Sequence, residues 1–218
     1  MNAPRPRVWG VDEAGRGPIL GPMAIAVVAL DRHAAGWLRR AGVVDSKDFG
    51  AGPEAWAQRS ALAIKVTSKA AAYRVRLVDV EEIDHYTMRG QLNALERRVT
   101  AELLRELEVR DDERIVCDGK SLFGPLGALF PGVHAVDRAE SVHTAVAAAS
   151  ILAKVARDDA FAQIAARYEP EFGPIAGGGY INPATRRFLD AYHARHGGLP
   201  PEARKSWGAK DEPNLALF

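Results

Sequence analysis

Acidic side chains follow three of the strands that this sequence predicts. They are Asp12 and Glu13 after the first strand, Asp118 after the fourth, and Asp137 or Glu140 after the fifth. Carboxylates gathered at neighbouring strand ends repel one another unless cations lie between them. Hard divalent ions, Mg²⁺ first, prefer such oxygen ligands. The pattern therefore predicts a metal-binding carboxylate site at one edge of a sheet.

A site of this kind supports phosphodiester hydrolysis. Two neighbouring divalent ions activate a water and stabilise the leaving oxygen, with three or four carboxylates as ligands and no histidine nucleophile. For any one aspartate taken alone, a turn or helix-cap role is the favoured explanation, but it explains the whole set less well. Asp12 and Glu13 are successive strand residues, so they point to opposite faces unless the strand end twists.

A glycine-rich turn follows the first pair of acids directly. It comprises Gly15, Arg16, Gly17 and Pro18, and Gly21-Pro22 comes shortly after it. Glycine permits close backbone approaches that a Cβ atom forbids. The turn is therefore predicted to bring backbone groups against phosphate.

Hydrophobic periodicity predicts the elements that position these residues. The predicted strands cover residues 7–12, 23–30, 70–80, 114–117 and 132–137, with the first two paired antiparallel. The predicted helices cover residues 31–42, 53–64, 81–107, 144–168 and 184–196. Ser46 or Asp48 is a candidate cap for the second helix. This order predicts an α/β fold, a mixed five-stranded sheet flanked by helices with a helical C-terminal extension.

The composition is that of an ordinary globular protein. The 218 residues are 47% hydrophobic and 26% charged, which suffices for one sizeable core. A net charge of +1 neither requires nor excludes nucleic acid, because cations can gather on one face. The single Cys117 permits neither an intrachain disulfide nor a thiolate zinc site, which favours a reducing compartment. We predict a cytoplasmic protein without a secretion signal or membrane span.

Several segments together resemble type 2 ribonuclease H, the ribonuclease HII family. They are Gly10-Val11-Asp12-Glu13-Ala14-Gly15-Arg16-Gly17-Pro18, Asp45-Ser46-Lys47, Asp118-Gly119, Ala148-Ala149-Ser150-Ile151-Leu152-Ala153-Lys154-Val155 followed by Arg157-Asp158, and Gly179-Tyr180. They fall in the family's order, and the first and fourth are too long for a chance match. Arg204-Lys205-Ser206-Trp207 is more similar to the archaeal and eukaryotic branch than to the common bacterial one. The resemblance implies a ribonuclease H-like sheet.

The resemblance implies four carboxylates that are both catalytic and metal-binding. Asp12, Glu13 and Asp118 match the first three. The fourth in the family is an aspartate ten residues before the serine of the long helix motif, and here Glu140 holds that place. Because glutamate is one methylene longer and Mg²⁺ tolerates distorted octahedral geometry badly, this departure puts the ligand geometry in question. Asp137 is the fallback ligand.

The resemblance also implies substrate contacts. Gly15, Arg16 and Gly17 are similar to the family's ribose-sensing loop, whose backbone contacts the 2′-hydroxyl that distinguishes RNA from DNA. Tyr180 resembles the residue that packs against sugar at the RNA–DNA junction. Lys47 and Lys154 lie inside matched motifs, which favours them as phosphate contacts.

The implied activity is metal-dependent endonucleolytic cleavage of the RNA strand of RNA/DNA hybrids. The same activity cuts 5′ of single ribonucleotides embedded in duplex DNA, and its products carry 5′-phosphate and 3′-hydroxyl ends. Two Mg²⁺ or Mn²⁺ ions per site are expected. The implied role is ribonucleotide removal during DNA replication and repair. We expect a monomer with a single catalytic domain, residues 1–218, comprising a core at about 7–168, an extension at about 180–210 and a tail at 211–218.

Two alternatives stay open. The sister type, ribonuclease HIII, prefers longer hybrids and usually adds an N-terminal substrate-binding domain, whereas here the first strand begins near residue 8. The other alternative is a protein that binds hybrids or junctions without cutting them, with activity lost through the change at Glu140. The presence of Asp12, Glu13 and Asp118 argues against that loss.

The last residues end in apolar side chains after a polar, proline-punctuated stretch. Leu215, Leu217 and Phe218 resemble the short peptides with which bacterial replication proteins dock onto the sliding DNA clamp, although the leading glutamine is missing. The alternative is a tail that folds onto the protein's own core.

Overall fold

The computed structural model describes residues 6–207, and a five-stranded mixed sheet lies at its centre in the order β3-β2-β1-β4-β5. The strands are β1 (Arg7–Ala14), β2 (Met23–Asp31), β3 (Ala72–Val78), β4 (Arg114–Asp118) and β5 (Val133–Val136). β1 pairs antiparallel with β2 and parallel with β4, and β4 pairs parallel with β5. The predicted mixed α/β sheet is confirmed.

Seven α-helices occur between residues 6 and 207. They are α1 (Arg32–Arg40), α2 (Pro53–Lys69), α3 (Val80–Thr87), α4 (Leu92–Glu106), α5 (Lys120–Phe123), α6 (Thr144–Phe172) and α7 (Pro183–His196). Side chains cap three of them by accepting a first-turn N–H, Asp31 for α1, Asp79 for α3 and Asn182 for α7. No helix in this described part is long and apolar enough to cross a membrane.

Two local predictions are wrong. The predicted helix 81–107 is two helices, α3 and α4, because the chain turns between them and Gly90 there adopts a φ of 68°. The apolar spacing continues across that turn, so periodicity does not reveal it. The cap of α2 is Gly52, followed by Pro53, whose missing N–H costs nothing in a first turn. The predicted caps Ser46 and Asp48 lie instead in a 3₁₀ turn, Ser46–Phe49.

The chain divides into two compact units. The first comprises the residues up to Ala14 with Ala24–Arg76 and Asn93–Ala156, and the second comprises Gly15–Met23, Leu77–Leu92 and the residues from Arg157 onward. The core of the second unit gathers the aliphatic residues Ile19, Leu20 and Leu189 with the aromatic Phe161 and Phe188.

The core of the first unit is built where β2 and α6 pack together. Alternate residues of β2, from Ala24 to Leu30, share one face and belong to one buried cluster with alanines of α6. Because alanine and glycine are small, the backbones of the sheet and of α6 can approach each other closely. A Cβ added to Gly10 of β1 would lie 2.1 Å from the backbone carbonyl carbon of Ala145.

The Gly10→Ala variant should be markedly less stable than the wild type, because the added methyl group collides with the backbone of α6. Neither β1 nor α6 can move to accommodate it without losing packing. We expect a loss of about 1–3 kcal/mol in the free energy of unfolding, measured by urea denaturation. Gly124→Ala is the matched control, since nothing lies within 4 Å of its added Cβ. Equal stability of the two variants would contradict the close packing.

Candidate active site

Parallel pairing of β1 with β4 brings the first carboxylates together. Val11 is opposite Cys117 in the register, so both strands present an aspartate, Asp12 and Asp118, at the next position. Asp12 is only 4% exposed, and the charge of Asp118 acts on it. The prediction that acids meet at neighbouring strand ends therefore holds for this pair.

Glu140 joins the pair from the turn that follows β5. It lies in a 3₁₀ turn, Ala139–Ser141, whose first N–H donates to Asp118 Oδ1 at 2.9 Å. The Asp118 carboxyl lies close enough to Glu140 to raise the pKa of Glu140. Asp137 is exposed, and its carboxylate accepts the backbone N–H of Lys120 at 2.8 Å.

Glu13 follows Asp12 directly on β1 and is partly buried. β1 stays regular to its end, pairing Asp12 with Ala26 and Glu13 with Ile25. Asp118 and Glu140 thus lie beside Asp12, and Glu13 acts on Asp12 through its charge. That charge raises the pKa of Asp12.

The carboxylates of this cluster lie close together and are partly shielded from water, which changes their pKa values. Burial first, and then repulsion from Glu13, raise the pKa of Asp12 well above its ordinary value. Burial also raises the pKa of Glu140, with a further contribution from Asp118. Ionisation of both Asp12 and Glu140 is therefore favoured by a nearby positive charge.

Lys47 supplies one such charge. It lies on the 3₁₀ turn after Asp45, whose carboxylate accepts the Lys47 N–H at 3.1 Å. Burial opposes the charged ammonium, but the carboxylates of Asp45, Asp12, Glu140 and Asp118 outweigh burial and raise the pKa of Lys47. The side chain therefore stays a cation beside the acids.

An open cleft of about 550 Å³ exposes this cluster. Its lining includes Asp45, Lys47, Asp118, Asp137 and Glu140. Both signs of charge line one cleft, which suits a ligand that carries phosphate and is accompanied by cations.

The donor set fits a hard divalent ion. Between residues 6 and 207, no group of three or more His, Cys, Asp or Glu side chains is arranged to hold a metal by itself. Mg²⁺ commonly takes one or two carboxylates and completes its shell with water and substrate phosphates. Glu140 Oε2 is buried without a hydrogen-bond partner, which leaves its lone pairs available to a cation. Asp12, Asp118 and Glu140, with Glu13 beside Asp12, are therefore the residues that could hold such an ion.

The turn that carries Lys47 is fastened to α6 by a pair of buried serines. Ser150 Oγ lies 2.7 Å from Ser46 Oγ and 3.4 Å from Asp45 Oδ1. Ser150 also bonds to the carboxylate of Asp12. One α6 hydroxyl therefore links the cationic turn to the acidic strand end, a role that the sequence motif contained but did not reveal. Lys154 follows one turn later on α6 and is partly buried.

The predicted sugar-sensing loop lies in the second unit and is built around glycine. Gly15 has a φ of 81°, and a Cβ there would lie 2.7 Å from Arg157 Cγ. A Cβ on Gly17 would lie 3.0 Å from Tyr180 Cε1. Tyr180 is 53% exposed, so its ring is available beside the loop, and Arg16 is half-buried. The structure thus places the Tyr180 ring beside Gly17 of the predicted loop.

Sequence reasoning missed the side chains that hold this loop. Arg204 is fully buried and donates to the carbonyl oxygens of Gly15 and Arg16. Trp207 donates to that of Gly17. The sequence shows Arg204 and Trp207 only as members of a motif, because hydrophobic periodicity does not indicate a buried arginine. Leu215, Leu217 and Phe218 lie outside the described residues.

Comparisons with known proteins agree with this architecture. A family model described as Ribonuclease HII matches residues 9–210. Ribonuclease HII of Thermococcus sibiricus is 34% identical over 209 residues, which cover 92% of this chain and 88% of that protein. The crystal structure of the ribonuclease H2 from Pyrococcus horikoshii OT3 is 30% identical with a TM-score of 0.75, covering 92% of this chain and 93% of that one. A PCNA:RNase HII complex from Archaeoglobus fulgidus is 29% identical with a TM-score of 0.76, covering 95% and 96%.

Replacing Ser150 with alanine should loosen the turn that carries Lys47, because it removes the α6 partner of the buried Ser46 hydroxyl. We expect a loss of about 1–3 kcal/mol in the free energy of unfolding, measured in urea. Ser68→Ala on α2 is the control, since that exposed hydroxyl bonds only the carbonyl of Lys65. An effect of Ser150→Ala no larger than the control's would contradict the link.

Proposed function

Because the chain belongs to the ribonuclease HII family, we propose that it cuts duplex DNA 5′ of single embedded ribonucleotides, leaving 5′-phosphate and 3′-hydroxyl ends. The protein is an endonuclease of ribonuclease H type 2 and acts on RNA/DNA hybrids. The proposed role is ribonucleotide removal during DNA replication and repair. The observation that carries the proposal is the convergence of Asp12, Asp118 and Glu140 beside Lys47.

The proposed metal ligands are Asp12, Glu13, Asp118 and Glu140, for two Mg²⁺ or Mn²⁺ ions. The raised pKa values of Asp12 and Glu140 and the unpartnered Glu140 Oε2 support a cation among these carboxylates. Glu140 is preferred to Asp137, because the Asp137 carboxylate is exposed and accepts the Lys120 N–H. When bound, such ions supply an activated water and neutralise the leaving 3′-oxygen.

The remaining proposed roles concern the substrate. The Lys47 ammonium, held beside the acids at the cleft, positions the phosphate that is cut. Lys154 binds a neighbouring phosphate. The backbone of Gly15, Arg16 and Gly17 recognises the 2′-hydroxyl, and Tyr180 packs against a sugar. The cytoplasmic location, the monomeric state and the single catalytic domain stay predictions.

The function is tested with two substrates in Mg²⁺ and then in Mn²⁺. One is duplex DNA with a single ribonucleotide, and the other is a long RNA/DNA hybrid. We expect cutting of both, with the first cut 5′ of the ribonucleotide, read on a denaturing gel. Cutting of the long hybrid alone would favour a ribonuclease HIII-like preference. Binding without cutting would favour a hybrid- or junction-binding protein.

Asp118→Asn provides the matched inactive variant. The amide keeps the shape and the bond to the Ala139 N–H but removes the charge that holds cations. We expect cleavage to fall by more than about 100-fold while duplex affinity is kept. Retained cleavage would remove Asp118 from the proposed metal ligands.

We also propose that the apolar tail binds the sliding DNA clamp through Leu215, Leu217 and Phe218. The support is the sequence of the tail and the similarity to a ribonuclease HII that was solved in a PCNA complex. A clamp partner would bring the enzyme to newly made DNA.

Deletion of residues 214–218 should abolish clamp binding in a pull-down or calorimetric titration and leave the urea unfolding curve unchanged. Asp211→Ala, a change in the same tail outside the apolar residues, is the control and should keep binding. Two results oppose the proposal. Intact protein that does not bind the clamp contradicts docking, and a large loss of stability on deletion indicates a tail that folds onto the core.

A further inference from the structure

Three consecutive carbonyl groups of the glycine loop accept hydrogen bonds from two side chains near the end of the described chain. Arg204 Nη2 donates to Gly15 O at 2.6 Å, and Arg204 Nη1 donates to Arg16 O at 2.8 Å. Trp207 Nε1 donates to Gly17 O at 3.0 Å. Every carbonyl of the loop is therefore held by a side chain.

Arg204 is committed to backbone acceptors and is itself fixed. Its Nε donates to Gly21 O at 3.0 Å, so three nitrogens of one guanidinium bind three carbonyl groups. Its own N–H donates to Ile19 O at 2.8 Å. Burial, with repulsion from Arg157, lowers the pKa of Arg204 to about 9. The side chain therefore stays a charged donor at neutral pH.

A buried carboxylate anchors the segment that carries these donors. Asp84 accepts the backbone N–H of Lys205 at 2.9 Å and that of Ser206 at 3.0 Å, and also the Ser206 hydroxyl. The Arg204 guanidinium lies over the Trp207 ring, with 4.9 Å from Cζ to the centroid. The two donors are thus fixed relative to each other as well as to the loop.

Holding the carbonyl oxygens also orients the amide hydrogens. The described backbone contains no cis peptide bond, and in a trans peptide the C=O and the following N–H point in opposite directions. The N–H groups of Arg16 and Gly17 are therefore turned away from Arg204. The third peptide has no N–H, because Pro18 follows Gly17. Two adjacent amide donors result, directed away from the protein groups that hold the loop.

We propose that Arg204 and Trp207 are positioning residues for ribose recognition, which orient the Arg16 and Gly17 amides toward a 2′-hydroxyl. This inference rests on the proposed function, in which the glycine loop recognises that hydroxyl. A hydroxyl oxygen accepts two such N–H donors, whereas a deoxyribose offers no acceptor there. The preference for ribose then depends on side chains far along the sequence that do not touch the substrate.

Arg204 and Trp207 would make the same hydrogen bonds if their role were only to stabilise the loop. The test must therefore separate an effect on sugar preference from an effect on stability. Trp207→Phe removes the Nε1–H donor and keeps an aromatic ring over Arg204. Trp37→Phe is the matched control, because Trp37 lies on α1 with Lys69 over its ring, 4.9 Å from Nζ to the centroid. Arg204→Lys is the second variant, since one ammonium cannot span three carbonyl groups.

The measurement is the ratio of two affinities of the full chain, obtained by fluorescence anisotropy in EDTA so that nothing is cut. The probes are a DNA duplex with one ribonucleotide and the same duplex without it. We expect the wild type and Trp37→Phe to prefer the ribonucleotide. Trp207→Phe should lose about 2- to 10-fold of that preference, the effect of one hydrogen bond, with unchanged affinity for the DNA probe. Arg204→Lys should lose more.

The outcomes separate this inference from the function on which it rests. A wild type without preference would show that the loop does not read ribose, which overturns both. A wild type with preference that Trp207→Phe and Arg204→Lys fully retain would overturn only the positioning role. If Trp207→Phe lost affinity equally for both probes, the positioning role would also be overturned, because such a loss indicates that Trp207 only stabilises the loop.

Discussion

Repulsion among carboxylates at the ends of parallel strands is the constraint on which the first compact unit depends. Parallel pairing of β1, β4 and β5 forces their carboxyl ends to one edge, so Asp12 and Asp118 become neighbours and Glu140 reaches them from the next turn. The positive charge of Lys47 offsets part of this repulsion, and Ser150 of α6 holds the turn that carries Lys47 beside the acids. Without a cation, such an arrangement of like charges costs stability.

In the proposed function, the second compact unit recognises the substrate through backbone groups. Its glycine loop has little side-chain chemistry of its own, so the direction of its peptide groups is what it offers a substrate. Glycine gives the loop its conformation, with a positive φ at Gly15, but glycine alone leaves the backbone free to adopt others. The bonds from Arg204 and Trp207 remove that freedom. The two ends of the sequence thus cooperate in one local structure.

Much of the fold and part of the candidate site could be predicted from the sequence. Alternation and apolar runs identified the five strands, and acids at their ends identified the site, because both signals are local. Motif order then identified the family. The break at Gly90 and the Gly52 cap were missed, because a turn inside a periodic segment and a glycine cap leave no periodic signal. The use of both Asp12 and Glu13 as ligands stays a prediction, and the roles of Ser150 and Arg204 depend on long-range contacts that no sequence window contains.

The central claim is that Asp118 and its neighbours form a cation site, and thermal unfolding with increasing Mn²⁺ tests it most directly. Ligand at about 100 times its dissociation constant stabilises the folded state by about 2.7 kcal/mol, which raises the midpoint by several degrees. We expect this rise in the wild type and in Asp137→Asn. Asp118→Asn should lose the rise and, without metal, be no less stable, since one repelling charge is gone. A wild type without the rise, or Asp118→Asn with an undiminished one, would contradict the account.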